Sequence, residues 1–113
     1  MFETNIEYKK GVLFIRISGS LNKTNSYKLK KEIIPLILKN GFKYVVLNLN
    51  EVDILDNYGI EVIDEINDVV LKFNGKTTLI DSKKIEKKIK GTLIDNILYK
   101  VKNERTALGV FEL

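Results

Sequence analysis

The residues best suited to chemistry in this 113-residue chain lie between Val52 and Ile60, where an extended segment leads into a predicted helix. Two acids of this segment, Asp53 and Asp56, could act as a general acid–base pair or hold Mg²⁺. Unpaired N–H groups at the helix start also form a natural anion site. A purely structural interpretation assigns Asp56 to capping the helix and Gly59 to close packing. The residues alone favour that second interpretation.

The composition removes most other catalytic chemistry. The chain has no Cys and no His, which excludes disulfides, the common zinc sites and imidazole catalysis. It also lacks the G-x-G-x-x-G, Walker and G-x-S-x-G motifs of phosphate-binding loops and hydrolases. We therefore expect a protein that is not an enzyme and that carries no cofactor and no metal.

The charge is strongly polarised along the chain. Its net charge is +4, yet residues 44–71 hold seven acids and no Lys or Arg. Such an acidic block repels other acidic surfaces and steers a basic partner. Lys83–Lys90 is a basic amphipathic segment, for which docking of Ile85 and Ile89 on a sheet is favoured over binding to lipid or nucleic acid. Direct nucleic-acid binding is not expected, because only two of the basic residues are Arg.

Length and hydropathy predict a single domain over residues 1–113. The chain is 44% hydrophobic, which is enough to bury a core. No apolar run approaches the roughly 18 residues that span a bilayer, so membrane insertion is not expected. The amino terminus lacks an export signal, and we expect a cytoplasmic protein.

The first half of the chain predicts a hairpin, a helix and a central strand. Asn5–Lys9 and Val12–Ser18 are β-rich and are joined by Lys10-Gly11. A loop over residues 19–25 should feed a helix from about Ser26 to Asn40, capped by Asn22, Thr24 or Asn25, kinked or split at Pro35 and ended by Gly41. The nearly continuous apolar run from Phe42 to Leu49 is typical of a strand covered on both faces, and Glu51–Leu55 forms a short extended segment after it.

The second half alternates helices and strands. We predict a helix over about Asn57–Phe73 with Asp56 as its cap, followed by a strand over Lys76–Ile80. A third helix should be capped by Asp81 or Ser82 and lined by Ile85, Ile89 and Leu93. An edge strand over Ile97–Val101 and a terminal helix capped by Asn103 complete the chain. The order β-β-α-β-α-β-α-β-α predicts an α/β fold with a small mixed sheet, in which an opening hairpin is followed by parallel strands.

In this order of elements the chain resembles the STAS domain of the anti-sigma factor antagonist family. The resemblance covers nearly the whole chain and is carried by the hairpin strand Val12–Ser18, Gly19-Ser20-Leu21-Asn22, the strand Val45–Leu49, Asp56-Asn57-Tyr58-Gly59-Ile60 and the closing segment Leu93–Leu98. It implies a small mixed sheet with about four packed helices.

The resemblance also implies partner switching. Proteins of this family bind an anti-sigma factor that is also a serine kinase, and the sigma factor is thereby released. The kinase phosphorylates a Ser within Asp-Ser-[Ser/Thr/Gly]-Gly-Leu and so ends the interaction. The residues that would bind the partner here are Asn22, Asp56, Asn57, Tyr58, Gly59, Ile60, Glu61, Asp64 and Glu65.

The chain departs from the family at the phospho-acceptor position, which Asn57 occupies. Asn57 has no hydroxyl and cannot accept phosphate. Three interpretations follow: an antagonist that is never switched off, one phosphorylated at another residue, or a STAS module with a different partner. The main alternative function is a scaffold or accessory subunit of a signalling or lipid-transport complex, and homo-oligomerisation stays open. A nucleic-acid binder that uses Lys83–Lys90 is a third class.

Overall fold

The structure, a computed structural model, describes residues 1–111 and contains five strands and four helices. In chain order these are β1 (Glu3–Lys9), β2 (Val12–Leu21), α1 (Lys23–Asn40), β3 (Tyr44–Leu55), α2 (Asn57–Lys72), β4 (Lys76–Ile80), α3 (Glu86–Ile89), β5 (Tyr99–Val101) and α4 (Glu104–Val110). They form one sheet in the order β1-β2-β3-β4-β5. The first pair is antiparallel and the other three are parallel, which confirms the predicted α/β fold.

Two elements of the first half differ from the sequence prediction, although the hairpin itself is confirmed. Lys10 and Gly11 both adopt positive φ, as a tight two-residue hairpin turn requires. However, β2 continues to Leu21, so the loop predicted over residues 19–25 is wrong. Gly19, at φ 94°, lies within a register shift that lets β2 keep pairing with the far half of β3. For the same reason Glu51–Leu55 is the end of β3 and not a separate segment.

The first helix is continuous from Lys23 to Asn40 with Pro35 inside it, so of the predicted kink or split the split is wrong. Pro35 is exposed, and so is Lys31, whose carbonyl the proline cannot bond. Water can satisfy that carbonyl, and the helix therefore continues. Gly41 ends it in the left-handed region, with its N–H donating to the carbonyl of Ile37 at 2.7 Å.

The sheet is covered on both faces, as the apolar run of β3 predicted. α1, α2 and the segment 85–98 pack on one face, whereas α4 packs on the other. Alternate residues of β2 enter the two cores: Leu13 and Ile15 face α1 and α2, while Val12 and Phe14 face α4. Within residues 1–111 no helix combines the length and apolarity needed to cross a membrane.

The third helix is a single turn, shorter than predicted, and neither Asp81 nor Ser82 caps it through a side chain. Gly91 turns the chain at φ 78°, so the helical spacing ends before Leu93. Leu93 is exposed, and Ile94 takes the place in the core that was predicted for it. β5 is also shorter than predicted and begins at Tyr99.

A partly buried ion pair ties α4 to the sheet. Arg16 of β2 donates from Nε and Nη2 to the two carboxylate oxygens of Glu104, each at 2.8 Å. Asn48 of β3 donates to the same carboxylate at 3.0 Å. These hydrogen bonds, that of Arg16 above all, hold the pKa of Glu104 below its usual range. The pair joins residues 88 positions apart in the chain, and no sequence pattern predicted it.

We expect Glu104→Gln to lower the free energy of unfolding by about 1–3 kcal/mol at neutral pH, because it removes a charge-assisted hydrogen bond. A depressed pKa stabilises the fold above the unfolded-state pKa, and this stability is lost as the pH falls through the folded-state pKa. The difference between wild type and variant should therefore shrink below about pH 4. Urea unfolding of both proteins across this pH range measures this difference in unfolding free energy. Glu7→Gln, which removes the more exposed partner of Arg16, is the matched control and should show a smaller difference.

Candidate functional site

The start of α2 is fixed by Asp56, as its sequence position predicted. The Oδ1 atom of Asp56 accepts hydrogen bonds from the backbone N–H groups of Tyr58 at 2.9 Å and Gly59 at 3.2 Å. The cap satisfies two of the free donors at the helix start and places a negative charge at the positive end of the helix dipole. Asp56 is thus engaged in holding the helix end.

The starts of α1 and α2 lie side by side because the strands before them are neighbours. Leu21, the last residue of β2, pairs with Leu55, the last residue of β3. The residues that follow them, Asn22 and Asp56, are the caps of the two helices. Asp56 also donates its backbone N–H to the carbonyl of Leu21 at 3.2 Å. The two register shifts in this pairing each add a residue on β3, so that β2 and β3 end together and both helix starts lie at one end of the sheet.

Gly59 permits this close approach. A Cβ atom at position 59 would lie 2.5 Å from Cδ1 of Leu55 and 2.9 Å from Cβ of Leu21. Both distances are shorter than van der Waals contact. Only glycine lets the first turn of α2 rest on the ends of β2 and β3.

The structure divides the predicted partner-binding residues into an exposed set and a buried set. Exposed at this end of the molecule are Asn22, Asn57, Tyr58 and Glu61; Asp56, Asp64 and Glu65 are partly exposed, and Gly59 and Ile60 are buried. Tyr58 is 46% exposed, a large fraction for an aromatic side chain. The exposed side chains form the surface that a partner can touch, and the two buried residues support it from below.

A groove between α1 and α2 borders this surface and was missed by the sequence analysis. Its volume is about 600 Å³, and both helices line it: Lys23, Thr24, Ser26, Tyr27, Lys28 and Lys30 come from α1, and Tyr58, Glu61, Val62 and Glu65 from α2. The ammonium of Lys23 lies 5.5 Å from the centre of the Tyr58 ring, and Lys30 pairs with Glu65 at 3.0 Å. In the sequence analysis, Asn22 was the only predicted partner-binding residue near the start of α1.

The groove has one basic wall and one acidic wall. Lysines come from α1, whereas acids come from the block that the sequence analysis singled out on α2. Burial raises the pKa of Asp64, and the nearby carboxylates of Asp68 and Glu65 raise it further. The surface therefore offers charges of both signs beside an exposed aromatic ring.

The other sequence motifs are engaged in structural roles. Asp53 accepts a hydrogen bond from the hydroxyl of Ser20 at 3.3 Å. Across residues 1–111, no group of three metal-ligating side chains comes together. In the segment Lys83–Lys90, Ile85 and Ile89 are buried in the core and the lysines are exposed. This is the docked arrangement that the amphipathic pattern favoured.

Comparison with known proteins places this geometry in a well-populated fold. A model of the STAS domain family matches residues 3–104. A putative anti-sigma factor antagonist from Thermotoga maritima superposes with a TM-score of 0.89 at 21% identity, covering 97% of this chain and 95% of that one. An anti-sigma factor antagonist from Mycobacterium paratuberculosis gives 0.88 at 18% identity, covering 100% and 96%. The unphosphorylated form of the antagonist SpoIIAA gives 0.76 at 13% identity, covering 99% and 98%.

Proposed function

This chain belongs to the STAS domain family, and from that membership we propose that it is an anti-sigma factor antagonist. In this proposal it binds an anti-sigma factor that is also a serine kinase, and it acts by binding and not by catalysis. We also propose that it acts in the cytoplasm and that residues 1–113 belong to one domain. The observation that carries the proposal is the exposed surface at the start of α2, on a fold shared with several antagonists.

The surface has the properties that a specific protein interface needs. Tyr58 supplies an exposed aromatic ring, the residue type enriched where binding energy concentrates. The side-chain amide of Asn57 is exposed beside it and can both donate and accept hydrogen bonds. Glu61 contributes negative charge that favours a basic group on the partner, whereas the charge of Glu65 is paired with Lys30. Asp56 and Gly59 hold these groups in place without needing to touch the partner.

The interaction we propose has no phosphorylation switch at position 57. In the family's cycle the kinase adds phosphate to a serine at this place, which introduces about −1.5 to −2 charges at the interface. Asn57 is neutral and has no hydroxyl, so the surface keeps its binding-competent charge when ATP is present. We propose an antagonist that stays active until its amount, or the amount of its kinase, changes.

Intact-mass measurement after mixing the protein with the anti-sigma kinases of its organism and ATP tests the proposal. A complex without added phosphate supports it. A phosphate adduct on this chain would move the switch to another hydroxyl and contradict the unswitched form. Neither complex nor adduct would contradict the antagonist role and favour the scaffold or accessory-subunit alternative.

Tyr58→Ala is expected to weaken kinase binding by at least about ten-fold, because truncating a central aromatic contact commonly costs about 2 kcal/mol of binding energy. The free energy of unfolding should change by less than about 1 kcal/mol, since nearly half of the side chain is already exposed. Isothermal titration and urea unfolding measure the two quantities. Equal losses in both would assign Tyr58 to packing.

Tyr8→Ala is the matched control for this substitution. Tyr8 is 58% exposed and contacts Phe42 at a centroid distance of 4.8 Å. It pairs with Leu13 near the start of β2, whereas the proposed site follows the end of that strand. Kinase binding should therefore be unchanged in Tyr8→Ala, and a similar loss in both variants would contradict the proposed surface.

A further inference from the structure

A second exposed hollow lies at the opposite end of α2 and takes no part in the proposed kinase interface. It has a volume of about 520 Å³ and is formed by the last turns of α2, the start of β4 and the segment that enters β5. Three large apolar side chains line it and stay exposed: Leu71 at 54%, Ile97 at 49% and Tyr99 at 63%. Three such side chains around one hollow form a patch typical of an interaction site.

The floor of this hollow contains a polar group without a partner. Thr77 is 3% exposed, and its hydroxyl makes no hydrogen bond within residues 1–111. Asn67, 5% exposed, lines the hollow beside it. Buried hydroxyls are usually hydrogen-bonded, so Thr77 leaves an unused hydrogen-bonding group beneath the surface of the hollow.

The rim carries one charge of each sign. Asp68 lies on the α2 side and Lys76 at the start of β4, and both are exposed. Neither forms an ion pair in the part of the chain that the structure describes. A patch with an apolar centre, one acid and one base is complementary to itself when it meets a copy related by a two-fold axis, because each acid then faces the other copy's base.

We infer that two copies of this chain associate through this hollow in a symmetric dimer. Leu71, Ile97 and Tyr99 form the apolar centre of the interface, and Asp68 of each copy faces Lys76 of the other. The polar rim around an apolar, tyrosine-containing centre matches the anatomy of specific protein interfaces. Asn57 lies about 16 Å along α2 from Asp68, so the dimer leaves the first turn of α2, with Asn57 and Tyr58, open.

Sedimentation velocity over a range of concentrations tests the dimer, with charge-reversed variants. The wild-type chain should show a concentration-dependent monomer–dimer equilibrium. Asp68→Lys and Lys76→Asp should each raise the dimer dissociation constant by at least about ten-fold, because each reversal creates two like-charge contacts across the two-fold axis. Glu3→Lys is the matched control on β1, at the edge of the sheet opposite β5, and should leave the equilibrium unchanged.

Mixing the two variants in equal amounts is the decisive measurement. In a mixed dimer every acid again faces a base, so association should return to near the wild-type level. Circular dichroism of each variant checks that it is folded before the comparison. A wild-type chain that stays monomeric throughout, an effect of Glu3→Lys equal to that of Asp68→Lys, or failure of the mixture to recover would each overturn the inference.

Discussion

Replacing Asn57 with aspartate is expected to weaken binding to the anti-sigma kinase by at least about ten-fold while leaving the fold as stable as before, or more stable. The new carboxylate imitates the charge that phosphate brings in the family's cycle, it cannot donate the hydrogen bond that the Asn57 amide can donate, and its desolvation in the interface costs several kcal/mol. At the first position of α2 the same charge meets the positive end of the helix dipole, which is worth about 0.3–1 kcal/mol. Opposite signs for binding and stability cannot arise from misfolding.

Isothermal titration with the kinase and thermal unfolding of the free chain measure these two changes. Asn57→Ser is the companion variant, because it is neutral but restores an acceptor hydroxyl. We expect it to bind the kinase without ATP, to gain phosphate with ATP and then to dissociate. If Asn57→Asp binds as tightly as wild type, position 57 lies outside the interface and the proposed surface is wrong.

The substitution Gly59→Ala should reduce the free energy of unfolding by about 1–3 kcal/mol, the usual cost of forcing extra volume into a packed contact. The added methyl would lie 2.5 Å from Leu55 and 3.0 Å from the backbone carbonyl of Leu21. The carbonyl belongs to the β2–β3 pairing and cannot move alone, so α2 must shift as a unit. Urea unfolding measures the loss, and kinase titration should show weaker binding as Tyr58 moves with the helix.

Gly109→Ala provides the matched control. Gly109 lies in α4, and a Cβ there would meet nothing within 4 Å. Alanine is favoured over glycine by about 0.5–1 kcal/mol in the middle of a helix and by less in the last turn, where Gly109 lies, so this variant should be slightly more stable than wild type. The same chemical change is thus expected to act with opposite signs at the two positions. A loss of similar size at both would show that the close approach at Gly59 is not the cause.

The sequence predicted best those features whose cause lies within a few residues. Asp56 and Asn103 cap their helices as expected, since a cap needs only a side chain and the N–H groups two or three positions on. Gly41 ends its helix for an equally local reason. The apolar run of β3 correctly predicted a strand covered on both faces, because burial on two sides demands apolar residues at every position.

Features that depend on distant parts of the chain were predicted poorly. β2 extends to Leu21 because β3 pairs with it there, and the residue types of Gly19 and Ser20 do not predict this extension. Leu93 and Ile94 are equally apolar, and only the turn at Gly91 decides which of them is buried. Which residue of such a pair is buried depends on the tertiary structure and not on the local sequence pattern.

The candidate site shows the same division. Its α2 half was predicted, because the acids and the motif from Asp56 to Ile60 are contiguous in the sequence. Its α1 half was missed, because Lys23 and Lys30 are unremarkable among many lysines until the β2–β3 pairing sets the two helices side by side. The charge of the site is therefore mixed, where the sequence indicated acid alone.

The order of the strands in the sheet has a consequence for how the chain is made. Among the described residues the sheet order is also the chain order, so each strand pairs with the one synthesised just before it. A nascent chain can complete each pairing as the next strand emerges from the ribosome, without reopening what has already formed. An exception is the bond between Arg16 and Glu104, which joins β2 to α4. That contact cannot form until Glu104 has left the ribosome, and its formation closes the α4 side of the core.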